Sequence, residues 1–396
     1  MDKYLYWLDR VEGLGPVSKR NLIEAFGCGE EVFRAADRHL QYILDERKLE
    51  ILKKARVDVE IEDAFQKLQK NKIKMCCYHE INYPGKLINI PDPPFCLYYK
   101  GNLPCENIPS VAIIGARECS AYGEYIASEL GKSLGAQGIQ VISGMAKGID
   151  GISQWAALEA GGVSYGVLGC GVDVCYPKSN HVLYEELLLK GGILSTYPPG
   201  TKPQAKLFPP RNRIVSGLSD VLVVIEARQR SGTSITVEMA LEQGREIYAV
   251  PGRITDRLSD GCNKLIKEGA HVFLSPEDFL LDLEEMLPMK MTNLRKQQMT
   301  YYDDSMQLDR SIAKKQINEE LVENDDNTLG AQIYRLLDFY PQSVETIIDK
   351  LHKECGIEIK YEELTGELMM LCLLGQIKKD SQSWFSKNKL QTVKEK

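Results

Sequence analysis

The chain has 396 residues, 49 basic and 56 acidic side chains for a formal net charge of −7, and 43% hydrophobic residues. Its length exceeds one typical domain and predicts two or three compact units. The charge excludes long-range attraction to nucleic acid, because fields beyond about 8–10 Å are screened in physiological salt, so any polyanion must be held by a local pocket.

Eleven cysteines, an odd number without a CxxC pair and with no signal-peptide pattern ahead of them, argue against a secreted disulfide framework. Reduced thiols in a cytoplasmic protein are expected. The longest apolar runs, such as "DVLVVIEA", fall far short of the roughly 20 residues that a membrane-spanning helix needs.

Residues 1–70 read as a helical unit. "YLYWLDRVEGLGPVSKRNLIEAFG" places apolar residues at helical spacing on both sides of a tight "GLGP" turn. A turn of that shape, around Gly13 and Gly15, presents backbone amides to a DNA phosphate without reading sequence. It also serves as a plain stop between two helices, and Asp9, Glu12 and Glu24 oppose a phosphate there.

Residues 71–110 are proline-bearing and irregular, with a short extended piece in "NYPGKLINIPDPPFCLYYKG" that enters the main domain, 71–287. From 111 to about 275 apolar strands alternate with helical stretches: "VAIIG", "GIQVIS", "SYGVLG", "GGILS", "DVLVVIEA" and "EIYAVPG". That alternation predicts an α/β fold with a doubly wound, mainly parallel sheet. Residues 288–327 are polar and acid-rich and are expected to be a flexible linker. Residues 328–396 give three short amphipathic helices and a hairpin at "GQIKKDSQSWFS", which suggests a winged helix.

Four turns of the central domain carry candidate anion-binding groups. In "VAIIGARECSAYG" the glycine spacing of a dinucleotide site is missing, because Arg117 and Glu118 follow Gly115 and the next glycine is Gly123. Arg117 instead sets a forked cation at the end of a strand, where the following helix N-terminus also favours an anion. "LGKSLG" is no phosphate-cradling loop, since Ile126 stands where glycine is needed. "SGMAKGID" brings Ser143, Gly144 and Lys147 to the same carboxyl edge, with Asp150 read as a helix cap. "FPPRNRIVSGLSD" supplies Arg211, Asn212 and Arg213, one of whose arginines has the option of anchoring a helix end. Ser231, Gly232 and Thr233 open a helix with the composition of an anion nest, although capping alone explains the hydroxyls. Lys178 in "YPKSN" joins the set, and Tyr176 beside it, with Tyr98 and Tyr99, offers rings for base stacking. Cys170, Cys175 and His181 do not make a metal-site pattern, and neither metal nor cofactor is expected.

Taken together, "VAIIGARECSAYG", "SGMAKGID", "LGCGVDVCYP", "FPPRNRIVSGLSDVLVVIEA", "SGTSITVEMALEQGREIYAVPG" and "DGCNKLIKEGA" resemble, in order and spacing, the DNA-processing protein A family, DprA or Smf. The flanking helical and winged-helix units also match an arrangement known in that family. The resemblance implies a Rossmann-like domain that binds single-stranded DNA, dimerises through its far edge, protects incoming strands and loads RecA during natural transformation, without catalytic turnover. It also implies a strand-binding pocket lined by Arg117, Ser143, Gly144, Lys147 and the "RNR" arginines. Two departures stand out: Ser153 and Gln154 replace a frequent alanine-histidine, and Thr196 follows Ser195 where glutamate is frequent. Two other functions remain open on the residues alone. A phosphoribohydrolase-type nucleotide enzyme would use Thr233 with Glu238, and a transcription regulator would use the hairpin lysines Lys378 and Lys379.

Overall fold

The computed structural model describes residues 2–57, 61–229, 231–296, 329–337, 342–357, 359–373, 377–379 and 385–387. They fall into two compact units, Met1–Asp303 and Asp304–Lys396.

The first unit opens with α1 (Lys3–Arg10), α2 (Pro16–Phe26), α3 (Gly29–Arg34), α4 (Asp37–Leu40), α5 (Glu46–Val57) and α6 (Ile61–Lys70). The Asp2 carboxylate starts α1 by accepting from the Tyr4 amide at 2.8 Å, and Pro16 starts α2 at the position where a missing N–H costs nothing. Leu5, Leu8, Leu22, Leu40 and Leu52 are buried together with Tyr98 and Met75 of the following sheet, so the helices share one apolar cluster with it. Burying each such leucine contributes about 1.5–3 kcal/mol. Polar ties reinforce the seam: the Tyr98 hydroxyl donates to Asp9 at 2.5 Å, and Asp9 pairs with buried Lys19 at 3.6 Å.

The sheet contains β1 (Lys74–Cys77), β2 (Cys96–Gly101), β3 (Ser110–Ile114), β4 (Gln140–Ser143), β5 (Ser164–Val167), β6 (Gly191–Ser195), β7 (Val221–Val224), β8 (Glu246–Ala249) and β9 (His271–Val272), in the order β1-β2-β6-β5-β4-β3-β7-β8-β9. The pairs from β6 through β9 are parallel; β1 and β2 run antiparallel at one edge. The six strands expected from the alternating pattern are all present, and the fold is the expected mainly parallel α/β sheet.

Side chains of a strand alternate between its faces, and β3 shows it: Val111 and Ile113 join one cluster, Ala112 and Ile114 the other. The first cluster packs under α8 (Ala121–Ala136), α9 (Ile149–Glu159) and α14 (Pro276–Met286). The second packs under α7 (Gly85–Ile88), α11 (Phe208–Leu218) and α12 (Gly232–Glu242). Both faces being covered, strands such as "VLVV" are apolar throughout. Helices α10 (His181–Leu189) and α13 (Asp260–Lys267) also belong to this unit.

Two expectations are corrected. Cys77 and Cys96 face each other in the β1–β2 register and form a disulfide, so not every thiol is reduced; no second disulfide occurs among the described residues. The start of the expected linker, 288–296, is helical and packed: Met291 and Leu294 enter the cluster beneath α14, and Lys290 pairs with Asp220 at 2.6 Å. Two buried apolar residues in a polar stretch sufficed. The rest of that segment, 297–327, lies outside the described residues.

The second unit has helices Leu329–Leu336, Val344–Lys350 and Tyr361–Leu373 and an antiparallel strand pair, Ile377–Lys379 with Phe385–Lys387. Ile333, Ile347, Leu364, Leu368 and Phe385 form its core.

Candidate nucleic-acid cleft

Strand order reverses beside β3, with β4 on one side and β7 on the other, and such a switch point leaves a crevice beyond the strands' carboxyl ends. A cleft of about 670 Å³ occupies it. Its walls come from the loop after β3 (Gly115, Ala116, Arg117, Glu118), the loop after β4 (Gly144, Ala146), α11 with the turn before it, and the loop from β7 into α12.

Arg211 forms the floor. It is only 5% exposed, yet it lines the cleft, and its Nη1 donates to the Val167 carbonyl at 2.8 Å. Its Nε is buried without a hydrogen-bond partner among the described residues, an idle donor in a place where such donors are normally satisfied. Burial pulls the guanidinium's pKa down, Asp150 acts in the opposite sense, and Arg117 nearby adds to the lowering. Asp150 is itself buried and accepts from the Gly144 amide at 3.1 Å. Burial raises its carboxyl above the usual range against the pull of Arg211.

The loop after β4 is shaped by its glycines. Gly148 has φ +72°, and a Cβ there would sit 2.3 Å from the Ala116 carbonyl oxygen. Asn180 braces the same loop, donating to the Met145 and Ala146 carbonyls at 3.1 Å.

Above the floor, Phe208 is flanked by two cations, with Arg117 and Arg211 each 5.9 Å from its ring centroid. Tyr176 stands 5.5 Å from the same ring and is partly open to solvent. At the opposite wall Ser231, Gly232 and Thr233 begin α12; the Ser231 hydroxyl is buried without a partner among the described residues and caps nothing. The amides of that helix end therefore face the cleft with their positive partial charge. Asn212 is a half-exposed wall residue, and Gly115 completes the set. The sequence singles out neither Phe208 nor Arg228, and Lys202 and Lys206, basic residues of the same stretch as Arg211, stood outside the candidate set. These lysines are exposed on either side of the wall residues Pro203, Gln204 and Ala205. In the sequence they stand out because residues 202–213 carry four cations and no carboxylate.

Other predicted residues lie elsewhere. Ser143 is fully buried, and its hydroxyl donates to the Ile113 carbonyl at 2.5 Å, tying β4 to β3 instead of facing a ligand. Arg213 turns away from the cleft to the carbonyl and carboxylate of Asp92, the latter at 3.8 Å. Lys147 and Lys178 are exposed just outside the walls, each close in sequence to a wall residue, Ala146 or Tyr176. Gly13, with φ +89°, and Gly15 are exposed in the turn between α1 and α2, where buried Lys19 is spent on Asp9. The α8 N-terminus, expected to favour an external anion, already holds an internal one: Glu226, 1% exposed, accepts from the Ser120 amide at 2.9 Å and from its hydroxyl. Thr233 lines the cleft, whereas Glu238 is exposed and outside its walls, so the pair needed for a nucleotide enzyme does not converge.

The family model for DNA recombination-mediator protein A matches residues 74–284. DNA processing protein DprA of Streptococcus pneumoniae is 42% identical over 227 residues, 57% of this chain and 78% of the relative. Protein Smf of a Synechocystis strain is 33% identical over 70% of this chain and 72% of its own. The X-ray structure of DNA processing protein A from Streptococcus pneumoniae superposes with a TM-score of 0.63 at 35% identity, covering 71% of this chain and 98% of that one. The switch-point cleft is thus carried by a sheet that these proteins share, and the chain is a member of the DNA recombination-mediator protein A family, DprA/Smf.

Proposed function

We propose that the protein binds single-stranded DNA in the switch-point cleft, shields incoming strands and loads RecA onto them during natural transformation. In this reading it works in the cytoplasm as a homodimer built through the sheet domain, by binding and without turnover. The observation that carries the reading is the pairing at the cleft floor of a buried arginine holding an idle donor with an aromatic ring flanked by two guanidiniums. Phosphate oxygens suit the former, and an unpaired base suits the latter, since base–aromatic stacking contributes about 1–3 kcal/mol per base. A duplex keeps its base faces stacked and has none to offer. Lys147, Lys178, Lys202 and Lys206 would draw in the flanking backbone, Ser231 to Thr233 would hold a second phosphate, and the turn at Gly13 and Gly15 would add a further contact. The three helices and strand pair of the second unit are read as a winged helix that meets a protein partner.

A mobility shift with single and double strands of equal length, at two salt concentrations, tests the binding. Preference for the single strand, lost as salt rises, is expected; equal affinity for both forms, or none, overturns it. RecA filament assembly on a strand coated with single-strand-binding protein tests the loading, which is expected to accelerate when this protein is added.

A further inference from the structure

We propose that residues 251–259, the loop leaving β8, form a second strand-binding subsite in which Arg253, Ile254 and Arg257 take up the polynucleotide as it leaves the cleft past Arg228. The inference rests on the cleft being the site of single-stranded DNA binding.

The loop adjoins the cleft wall. The Ala227 amide donates to the Leu258 carbonyl at 2.8 Å, and the Gly261 amide donates to the Ala227 carbonyl at 2.8 Å, so Arg257 lies beside the stretch that carries Arg228. Leu258 is itself a wall residue. The backbone is held from within: Asn263 bonds Gly252 in both directions, at 3.0 and 3.2 Å, and the amides of Asp256 and Ser259 close turns onto the carbonyls of Arg253 and Asp256. A Cβ on Gly252 would meet the Ser259 hydroxyl at 1.9 Å, so the loop closes tightly on itself.

A segment braced in this way nonetheless turns its largest side chains outward. Ile254 is 91% exposed, and Arg253 and Arg257 are exposed with no ion-pair partner among the described residues. Ile254 is left almost wholly to solvent, and a braced loop presenting two cations around an aliphatic side chain offers contacts of the kinds that phosphates and a base require. The acids nearby are accounted for: the Asp256 carboxylate accepts from the Leu258 amide at 3.0 Å, and Asp260 sits in the first turn of α13, where the helix dipole offsets its charge. Tyr122, partly exposed, donates its hydroxyl to the Pro251 carbonyl at 3.1 Å and stands beside the loop with a ring face for a further base.

Fluorescence anisotropy with oligothymidines of about 6 and about 20 nucleotides separates the two subsites, because the short strand fills the cleft alone. The double variant Arg253→Ala/Arg257→Ala is expected to bind the short strand as the unsubstituted protein does. It should lose about tenfold on the long one, with the slope of log affinity against log salt flattened by about 1.4, or 0.7 per lost phosphate contact. Arg253→Lys/Arg257→Lys should restore the slope. Sedimentation of each variant checks that its assembly state is unchanged. Unaltered long-strand affinity and slope in the double alanine variant, in a protein that still loses both strands on Arg117→Ala, overturns the subsite and leaves the cleft intact. Failure of the unsubstituted protein to bind either strand overturns the cleft and the subsite together.

Discussion

Gly144 and Arg211 occupy one another's space: a Cβ on Gly144 would lie 2.0 Å from Nη1 and 2.7 Å from Nη2 of the guanidinium. The absence of a side chain in the loop after β4 is therefore what lets the arginine reach the Val167 carbonyl while still lining the cleft. Gly144→Ala is expected to push the guanidinium off this seat. Single-strand affinity should fall to nearly that of Arg211→Ala, while thermal melting shifts by the equivalent of about 1–3 kcal/mol for the strained bond. Retention of full affinity in Gly144→Ala would show that the seat of Arg211 does not matter for binding.

The two arginines of "RNR" divide between two tasks. Arg211 and Arg213 lie two residues apart on α11, about 200° around the helix, so they point to nearly opposite sides. Arg211→Ala is expected to weaken single-strand binding at least tenfold, about 1.4 kcal/mol. Arg213→Ala should leave it within about twofold and instead release the segment around Asp92, seen as faster amide exchange over residues 84–95. Equal losses of DNA affinity in the two variants would contradict the assignment.

That division shows where the sequence stops being legible. The alternation of apolar strands with helical stretches and glycine turns predicted the sheet and the edge on which the loops gather, because each depends on neighbours in the chain. Which of two adjacent arginines faces inward depends on the phase of α11 against a sheet assembled from distant strands. The same holds for Glu226, an ordinary acid in "IEARQ" until folding brings it against the start of α8 and cancels that helix end as an external anion site. Ser143 depends on such a distant strand as well: as the last residue of β4 it lies within reach of the Ile113 carbonyl of β3, thirty residues earlier in the chain. Phe208 left no period or motif to follow, since a single aromatic residue before two prolines reads equally well as a hydrophobic staple.

Phe208 is held between Arg117, Arg211 and Tyr176, and its half-buried ring lines the cleft. Phe208→Leu preserves much of the apolar contact and removes the π-face. A loss of about 1–3 kcal/mol in single-strand affinity is expected, with little change in the salt slope, because no phosphate contact is deleted. Arg117→Ala should flatten the slope as well as weaken binding. A Phe208→Leu variant whose affinity is unchanged would place the bases away from this ring.

At the opposite end of the sheet, Asp220 is shared between Lys86 at 2.9 Å and Lys290 at 2.6 Å, and Lys86 also reaches the Ser110 hydroxyl at 2.6 Å. Burial lowers the pKa of Lys86 to about 8, with Asp220 pulling the other way and Lys290 adding to the drop. Burial alone would raise Asp220, but the two lysines outweigh it and hold the carboxyl below its usual range, so Asp220 stays charged at neutral pH and above. An unfolded lysine titrates near 10.4, so between about pH 8 and 10.4 the unfolded chain holds a proton at this site that the folded chain has released. Stability rises with pH wherever the unfolded state binds more protons, so this site makes the fold more stable across that window. Between about pH 7.5 and 9.5 the unsubstituted protein should therefore gain on the order of 1–2 kcal/mol relative to Lys86→Met, read from urea midpoints of the two proteins. Should the difference run the other way, Lys86 would be stabilised in its charged form, and the ion pair with Asp220 would outweigh the cost of its burial.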